Sequence, residues 1–412
     1  MSTTIPDSKY DAVIVGARCA GAATAMLLAR QGLNVLAVDR GRYGGETLST
    51  HALMRGAVLL LHRWGVLAAI KAAGTTPVTR TTFYYDDEEL AIAIKPRYGV
   101  DALYAPQRAL LDRLLVDAAS AAGAHVVHEV GLQGLVRSER GRVTGAVLRD
   151  RTGAVHRVEA DIVIGADGIR STVARLAEAR TYRMGRHASA VVYGHWAGLC
   201  LDGYQWHYRP GVSVGAIPTN NGETCVFVAV PAARFLDLFR GDVGGGHARL
   251  LRGAAPELGA LVERSEQTGN FHGFAGQTGF FRQSWGPGWA LVGDAGYFKD
   301  PLTAHGITDA LRDAARLSTA VVDGSEGALA EYQSGRDILA TDLFDVTDAI
   351  ASFAWNLAEV RLLHEKLAAA MAREVTSIAT DEHQPASREA PPPSSARGRT
   401  GPDSPAQAVH PE

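Results

Sequence analysis

The stretch Asp11–Arg40, DAVIVGARCAGAATAMLLARQGLNVLAVDR, decides how this chain is read. Val13–Val15 is a short apolar, β-branched run of the kind a buried parallel strand uses. A glycine turn follows, then Ala22–Gln31, rich in helix formers and closed by Gly32 where helices commonly end. Leu33–Val38 is a second strand, and Asp39 stands at its end. Strand, glycine turn, helix, strand and acid is the order of a dinucleotide-binding unit. In such a unit the free amides of the turn and the positive helix end face an anion. Gly16 permits the turn, and Gly21 lets the helix pack closely on the strand. The middle glycine of the usual pattern is missing, and Arg18 stands in its place. Either no pyrophosphate approaches that point, or the guanidinium pairs with phosphate oxygens where bare backbone otherwise serves.

A chain of 412 residues suffices for two domains or one elaborate α/β unit. A hydrophobic share of 46% supports a full core. The net charge of −3 argues against nucleic acid as the main partner, because phosphate backbones call for clustered positive charge. Cys19, Cys200 and Cys225 form no C-x-x-C pair and fit neither a disulfide framework nor a structural zinc site. No metal is expected. The first ten residues hold no apolar signal core and no run approaches a membrane span, so the expected compartment is the cytoplasm.

Residues 8–178 read as a first domain, with a hairpin inserted around 78–100 whose turn is acidic, Asp86–Glu89. It includes the amphipathic helix of YAPQRALLDRLLVDAASAAGA and the buried strand of ADIVIGADGIRS. Residues 179–286 change character, alternating aromatic and aliphatic residues as an inserted antiparallel sheet does. Residues 287–378 return with the short strand of GWALVGDAG and a series of helices from Gly306. Residues 381–412, rich in Pro, Ser, Arg and Gly, read as a disordered tail. The expected class is α/β: a Rossmann-like domain with an inserted antiparallel β-sheet domain and C-terminal helices.

Two further segments narrow the reading. DIVIGADGIRSTVAR places Asp167-Gly168 after one buried strand, and WALVGDAGYFKDPLTAHGITDAL places Gly293-Asp294 after another, before a helix at Gly306. Together with Gly16–Asp39, these segments make the chain resemble the p-hydroxybenzoate hydroxylase-type (group A) FAD-dependent monooxygenases over about residues 8–375. The resemblance makes the first domain the FAD-binding domain and the inserted sheet the substrate domain. It implies that Gly16, Ala17, Arg18, Ala20 and Gly21 cradle the FAD pyrophosphate and that Asp39, with Arg40 beside it, binds the adenosine ribose. Arg108 would reach the phosphate–ribityl region, unless it is a helix-surface arginine. The backbone of Leu132 would touch the adenine, Asp167 would handle FAD and the reductant, and Asp294 would hold the ribityl chain. Gly306 and Ile307 would place amides near flavin N1 and O2, where reduced flavin carries negative charge. Pro301 and Leu302 would shape the wall beside flavin C4a.

The implied reaction is that of a single-component monooxygenase. NAD(P)H reduces FAD, oxygen forms a C4a-hydroperoxyflavin, and an aromatic or polyketide-like small molecule is oxygenated. Departures from the pattern also matter. Arg175 comes one residue later than the family spacing, His305 replaces a frequent lysine or glutamine, and Thr308 replaces a common asparagine. His305 either tunes charge beside the flavin or makes a structural hydrogen bond. His51, in TLSTHAL, either contacts substrate or flavin, or belongs to a helix-capping Ser49-Thr50-His51 cluster. Of Tyr193, Trp196, Trp206 and Tyr208, only some are expected to face a pocket, since strand side chains alternate. Geranylgeranyl reductase-like enzymes are the main alternative on this fold. A flavin-dependent halogenase is disfavoured, because Trp206 in WHYRPGVSVGAIP has no second tryptophan to complete a W-x-W-x-I-P signature. A binding protein without flavin would show decay between GDAG and HGI, which are intact here.

Overall fold

The computed structural model describes Ile5 and residues 9–381, so the tail reading lies outside the described residues from 382 onward. The first sheet runs β5 (His125–His128), β2 (Val35–Asp39), β1 (Lys9–Val15), β8 (Val155–Gly165), β18 (Trp289–Leu291) and β17 (Trp285–Gly286). The pairs from β5 to β18 are all parallel, and β17 turns back on β18. A meander of β6 (Val130–Arg137) and β7 (Val143–Asp150) joins the long β8. Alternation sorts the β1 side chains: Ala12 and Ile14 join one buried cluster, Val13 and Val15 the other.

The second sheet is ordered β14 (Glu266–Gln267), β10 (Ser189–Ala197), β13 (Glu223–Pro231), β12 (Val212–Pro218), β11 (Tyr204–Arg209), β3 (Arg80–Tyr85) and β4 (Glu88–Ala93), with β15 (His272–Phe274) also on β10. The hairpin counted with the first domain is therefore the far edge of the second sheet. Its strand β3 runs parallel to β11, so this sheet is not purely antiparallel. Its turn is also tighter than expected, since β4 already begins at Glu88. At the other boundary, β17 belongs to the first sheet although it falls within residues 179–286. A small third sheet of β9 (Thr181–Met184), β16 (Phe280–Arg282) and β19 (Tyr297–Phe298) sits at the crossings between the two.

Helices fill the layers. α1 (Cys19–Arg30), α2 (Arg55–Arg63), α3 (Leu67–Ala72) and α4 (Arg108–Ala121) share a core with one face of the first sheet, while α5 (Thr172–Leu176) follows β8. α6 (Phe235–Phe239), α7 (Val243–Ala254) and α8 (Pro256–Glu263) cover the outer face of the second sheet. The chain then returns through α9 (Gly306–Asp323), α10 (Glu326–Ala351) and α11 (Leu357–Thr380).

The motif residues meet because parallel strands end on one edge. Gly16 follows β1, Asp39 ends β2, Ala166-Asp167 follow β8, and Gly293-Asp294 follow β18. Backbone contact at that edge leaves no room for side chains: Gly16 has φ +101°, and a Cβ there would lie 2.4 Å from the Ala166 carbonyl oxygen. A Cβ on Gly21 would lie 1.7 Å from the Gly16 oxygen. Gly21→Ala must therefore push helix from strand, at about 3 kcal/mol or more. Chemical denaturation of the purified variant is expected to show this loss; a midpoint equal to that of the parent would refute the packing argument.

Candidate functional site

The site is built from three helix starts that face the strand edge. At α1 no side chain caps the first turn, so its N–H groups are left for a ligand. The Ala17 N–H donates to Asp39 Oδ2 at 2.9 Å, and the Gly41 N–H donates to Asp39 Oδ1 at 2.7 Å. These bonds fix the carboxylate at the floor of a shallow depression bordered by Ala17, Arg18, Arg42 and His128. Among the described residues no ion pair involves Arg18, whose guanidinium lies over Gly41 beside Asp39. Ala20, the second residue of α1, packs under Gly293. Arg40 is exposed and lies against Gly131, the neighbour of Leu132 in β6. Arg42 was not singled out from sequence; it borders the depression and pairs with Glu129 at 3.6 Å.

Asp167 takes another part. Its carboxylate accepts from Ser171 Oγ at 2.5 Å and from the Thr172 N–H at 2.6 Å, so it caps α5. The GADG turn meets the glycine turn through the Ala166 backbone instead. Arg175 is exposed on α5.

Arg108 opens α4 and is half-buried, its side chain 14% exposed and turned along the helix start rather than out into solvent. Its Nη2 lies 3.0 Å from Asp112 Oδ1, and the Cys19 thiol donates to that same oxygen at 3.2 Å. This ties the starts of α1 and α4 together. Asp294 sits in the turn Gly293–Ala295 with its carboxyl pushed up to about 6 by burial, against the pull of Arg108 and Lys299.

The third helix start is α9. Pro301–Thr303 form a 3-10 turn, Leu302 is buried, and Ala304 adopts a left-handed φ of 51° before His305. No side chain caps α9, and a Cβ on Gly306 would meet nothing within 4 Å, so the Gly306–Ile307 amides border open space. Behind them lies a dry ionic network. Arg312 bonds Asp313 Oδ1 at 2.9 Å, lies 3.0 Å from Asp309, and bonds Glu374 of α11. Lys299 pairs with Asp309, and His305 Nε2 lies 2.6 Å from Glu374 Oε2. His305 Nδ1 and Thr308 Oγ1 are buried without a partner. His305 thus meets Glu374 through Nε2 alone, while burial pulls its pKa down and the Glu374 carboxylate pulls it back up. Burial alone would raise Glu374, but His305, Arg312 and Lys299 together hold it well below the usual carboxylate range. His305, Asp309 and Glu374 lie close enough for a metal, yet Lys299 and Arg312 already occupy the carboxylates.

Between the two sheets lies a cavity of about 390 Å³, bordered by Glu46, His51, Arg108, Tyr193, His195, Glu223 and His272. His51 has φ +70° and does not cap α2, which starts at Arg55; its Nδ1 accepts the Arg108 N–H of α4 at 3.2 Å. Its Nε2 lies 3.0 Å from His195 Nε2. Tyr193 lines the cavity, whereas Trp196 packs outward against Phe271 and His247. Trp206 and Tyr208 are buried in the core, Trp206 donating to Thr81 Oγ1 at 2.9 Å. His195 was missed from sequence, although its place two residues after Tyr193 puts it on the same strand face.

These features fit FAD: two uncapped helix starts, a glycine cradle with no space for a Cβ, and a fixed carboxylate at the ribose distance along the unit. The profile of the FAD binding domain family matches residues 9–233. "Digeranylgeranylglycerophospholipid reductase 1" of Methanococcoides burtonii is 24% identical over 342 residues, 79% of each chain. "Probable electron transfer flavoprotein-quinone oxidoreductase YdiS" of Escherichia coli is 34% identical over 177 residues, which span 41% of this chain and only 39% of that protein. Among solved structures, the flavin-dependent brominase Bmp2 matches with TM-score 0.75 and 18% identity, covering 90% of this chain and 93% of that one. PqsL of P. aeruginosa, solved with 2-aminobenzoylacetate, matches with TM-score 0.71 and 23% identity, covering 88% and 100%. At these identities the structures share the fold.

Two outcomes follow from the geometry. Arg18→Ala is expected to weaken FAD binding about tenfold, the loss of about 1.4 kcal/mol typical of one charge-assisted contact; fluorescence titration measures it, and an unchanged affinity removes the phosphate role. Arg312→Met leaves three buried carboxylates with Lys299 alone and is expected to cost about 3–5 kcal/mol at neutral pH. Loss of the guanidinium raises the carboxylate pKa values in the folded variant. Its native state then binds protons more readily, so the deficit should shrink as pH falls. Urea unfolding at several pH values tests both size and sign.

Proposed function

Since the chain belongs to the FAD binding domain family and is an FAD-dependent oxidoreductase of the group A superfamily, we propose that it is a single-component monooxygenase using NAD(P)H and oxygen on a small aromatic or polyketide-like molecule. One observation carries the reading: the cavity at the start of α4 is polar, bordered by Glu46, His51, Arg108, His195, Glu223 and His272. Such a wall suits a compact molecule with oxygen functions rather than a long hydrocarbon.

Gly16, Arg18 and the α1 amides would hold the pyrophosphate, Asp39 the ribose, and Arg108 with Asp294 the ribityl side. When bound, FAD supplies hydride acceptance and oxygen activation. The chain does the rest. The start of α9 offers Gly306 and Ile307 amides and a positive dipole to negative charge. Behind that helix start Glu374 holds His305 in place, so the amides keep their direction. Pro301 and Leu302 wall the site, and the buried Leu302 keeps water from that side.

A second reading is favoured by the relatives themselves: reduction of a double bond, as the name of the Methanococcoides burtonii protein indicates for that enzyme. Halogenation has less support, since no lysine borders the cavity among the described residues. An oxygen electrode decides between the two leading readings. With NAD(P)H and a panel of phenols, aminobenzoyl compounds and polyketide aromatics, the monooxygenase consumes oxygen and adds one oxygen atom to product. Reduction of substrate under nitrogen with no oxygen uptake in air would overturn it in favour of the reductase.

A further inference from the structure

We propose that His195 is the hydrogen-bond donor of the cavity, through Nδ1–H, that His51 is the positioning residue fixing that tautomer, and that the ligand therefore presents an acceptor oxygen. This deepens the reading of the cavity as the substrate site and rests on it.

The assignment starts from a backbone group whose role is not in question. The Arg108 N–H can only donate, and His51 Nδ1 lies 3.2 Å from it. His51 Nδ1 therefore carries a lone pair, and the neutral ring holds its proton on Nε2. His51 Nε2 faces His195 Nε2 at 3.0 Å. Two N–H groups cannot face each other at that distance, so His195 Nε2 supplies the lone pair and its proton is on Nδ1. Protonating His195 would place an N–H against the His51 N–H, so the contact itself holds both rings neutral. Burial works in the same direction on both.

Cys225 Sγ stands near both Nε2 atoms, a grouping that on residue types alone suggests a metal. The His51 Nε2 is occupied by its proton, however, and burial pushes the Cys225 thiol up, so neither is a ready ligand. What remains is a directed pair. His51 is over-determined: its N–H donates to Ser49 Oγ at 3.0 Å, the Ser49 N–H donates to Tyr193 Oη at 3.1 Å, and its left-handed backbone is held by both. His195 lies on the cavity wall, and its Nδ1 makes no hydrogen bond among the described residues. The charged and titratable groups around it are Glu46, Arg108, Glu223 and His272. A fixed N–H at a cavity wall selects a carbonyl, phenolate or carboxylate oxygen, and a hydrocarbon offers none.

Nitrogen-15 NMR of the full-length, FAD-loaded protein labelled at histidine tests the pair, with signals assigned through His51→Gln and His195→Gln. The expected spectrum shows His51 protonated at Nε2 and His195 at Nδ1. A His195 protonated at Nε2 would overturn the proposal, with no variant required. Gln keeps a donor N–H at the reach of His51 Nε2, so His51→Gln should preserve the His195 tautomer, whereas His51→Ala should give a mixture. An unchanged His195 in His51→Ala would remove the positioning role. Benzoate should shift the His195 Nδ1–H proton and benzylammonium, a donor of similar size, should not. The reverse response, or none to either, overturns the acceptor-oxygen requirement. None of these signals depends on oxygen uptake, so failure here and failure of the monooxygenase reading are separately visible.

Discussion

A single buried guanidinium constrains the C-terminal helices of this molecule. Arg312 is 1% exposed and meets Asp309 and Asp313 on its own helix and Glu374 on α11. A cation in that position must have its carboxylates, because removing either sign leaves charge stranded in a dry interior. The chain therefore has no freedom to let α11 drift from α9. Glu374 also holds His305, the residue that starts α9, so the anchor and the helix start are one unit. The cost of burying these charges is offset by placement: the amides of Gly306 and Ile307 border open space while everything behind them is fixed.

A second tether joins that unit to the other sheet. Asp300, just before the Pro301–Thr303 turn, accepts from the Ser189 N–H and Oγ, both at 2.6 Å, at the start of β10. Burial pushes its carboxyl up to about 6 against those bonds. Because β10 also carries Tyr193 and His195, the Pro301–Thr303 turn is tied to the strand that walls the cavity. The 3-10 turn is thus specified from both ends, by Asp300 to one sheet and by His305 to the other layer.

Features of this fold are legible in the sequence wherever a requirement is local. Gly16 and Gly21 are forced by backbone contact within a single turn-helix unit, and Asp39 by the length of that unit, so all three are visible in a stretch of thirty residues. What the sequence left unread has a different cause. His195 acts through a partner 144 residues away and Asp300 through one 111 away. No period or motif encodes such pairs. The hairpin was recognised as a hairpin, but its sheet was not, because β3 pairs with β11 across a long stretch of chain. Asp167 has a local duty inside its motif that the motif does not announce: its carboxylate accepts from the start of a short helix four residues on.

The two histidine pairs around the site show how burial and hydrogen bonding divide the work. His305 faces a carboxylate that Arg312 and Lys299 keep ionised, so its proton is held on Nε2 and its other nitrogen is left dry and unpartnered. His51 faces a backbone N–H instead, which turns its proton outward, toward His195. The same residue type is thus locked in opposite senses: one points its N–H back into the scaffold, the other hands a donor across to the cavity wall. Each lock rests on a partner of fixed role, a carboxylate held ionised in one case and a backbone amide in the other. A site built this way keeps its polarity fixed while the chemistry beside it changes charge, the condition under which prearranged dipoles act without reorganising.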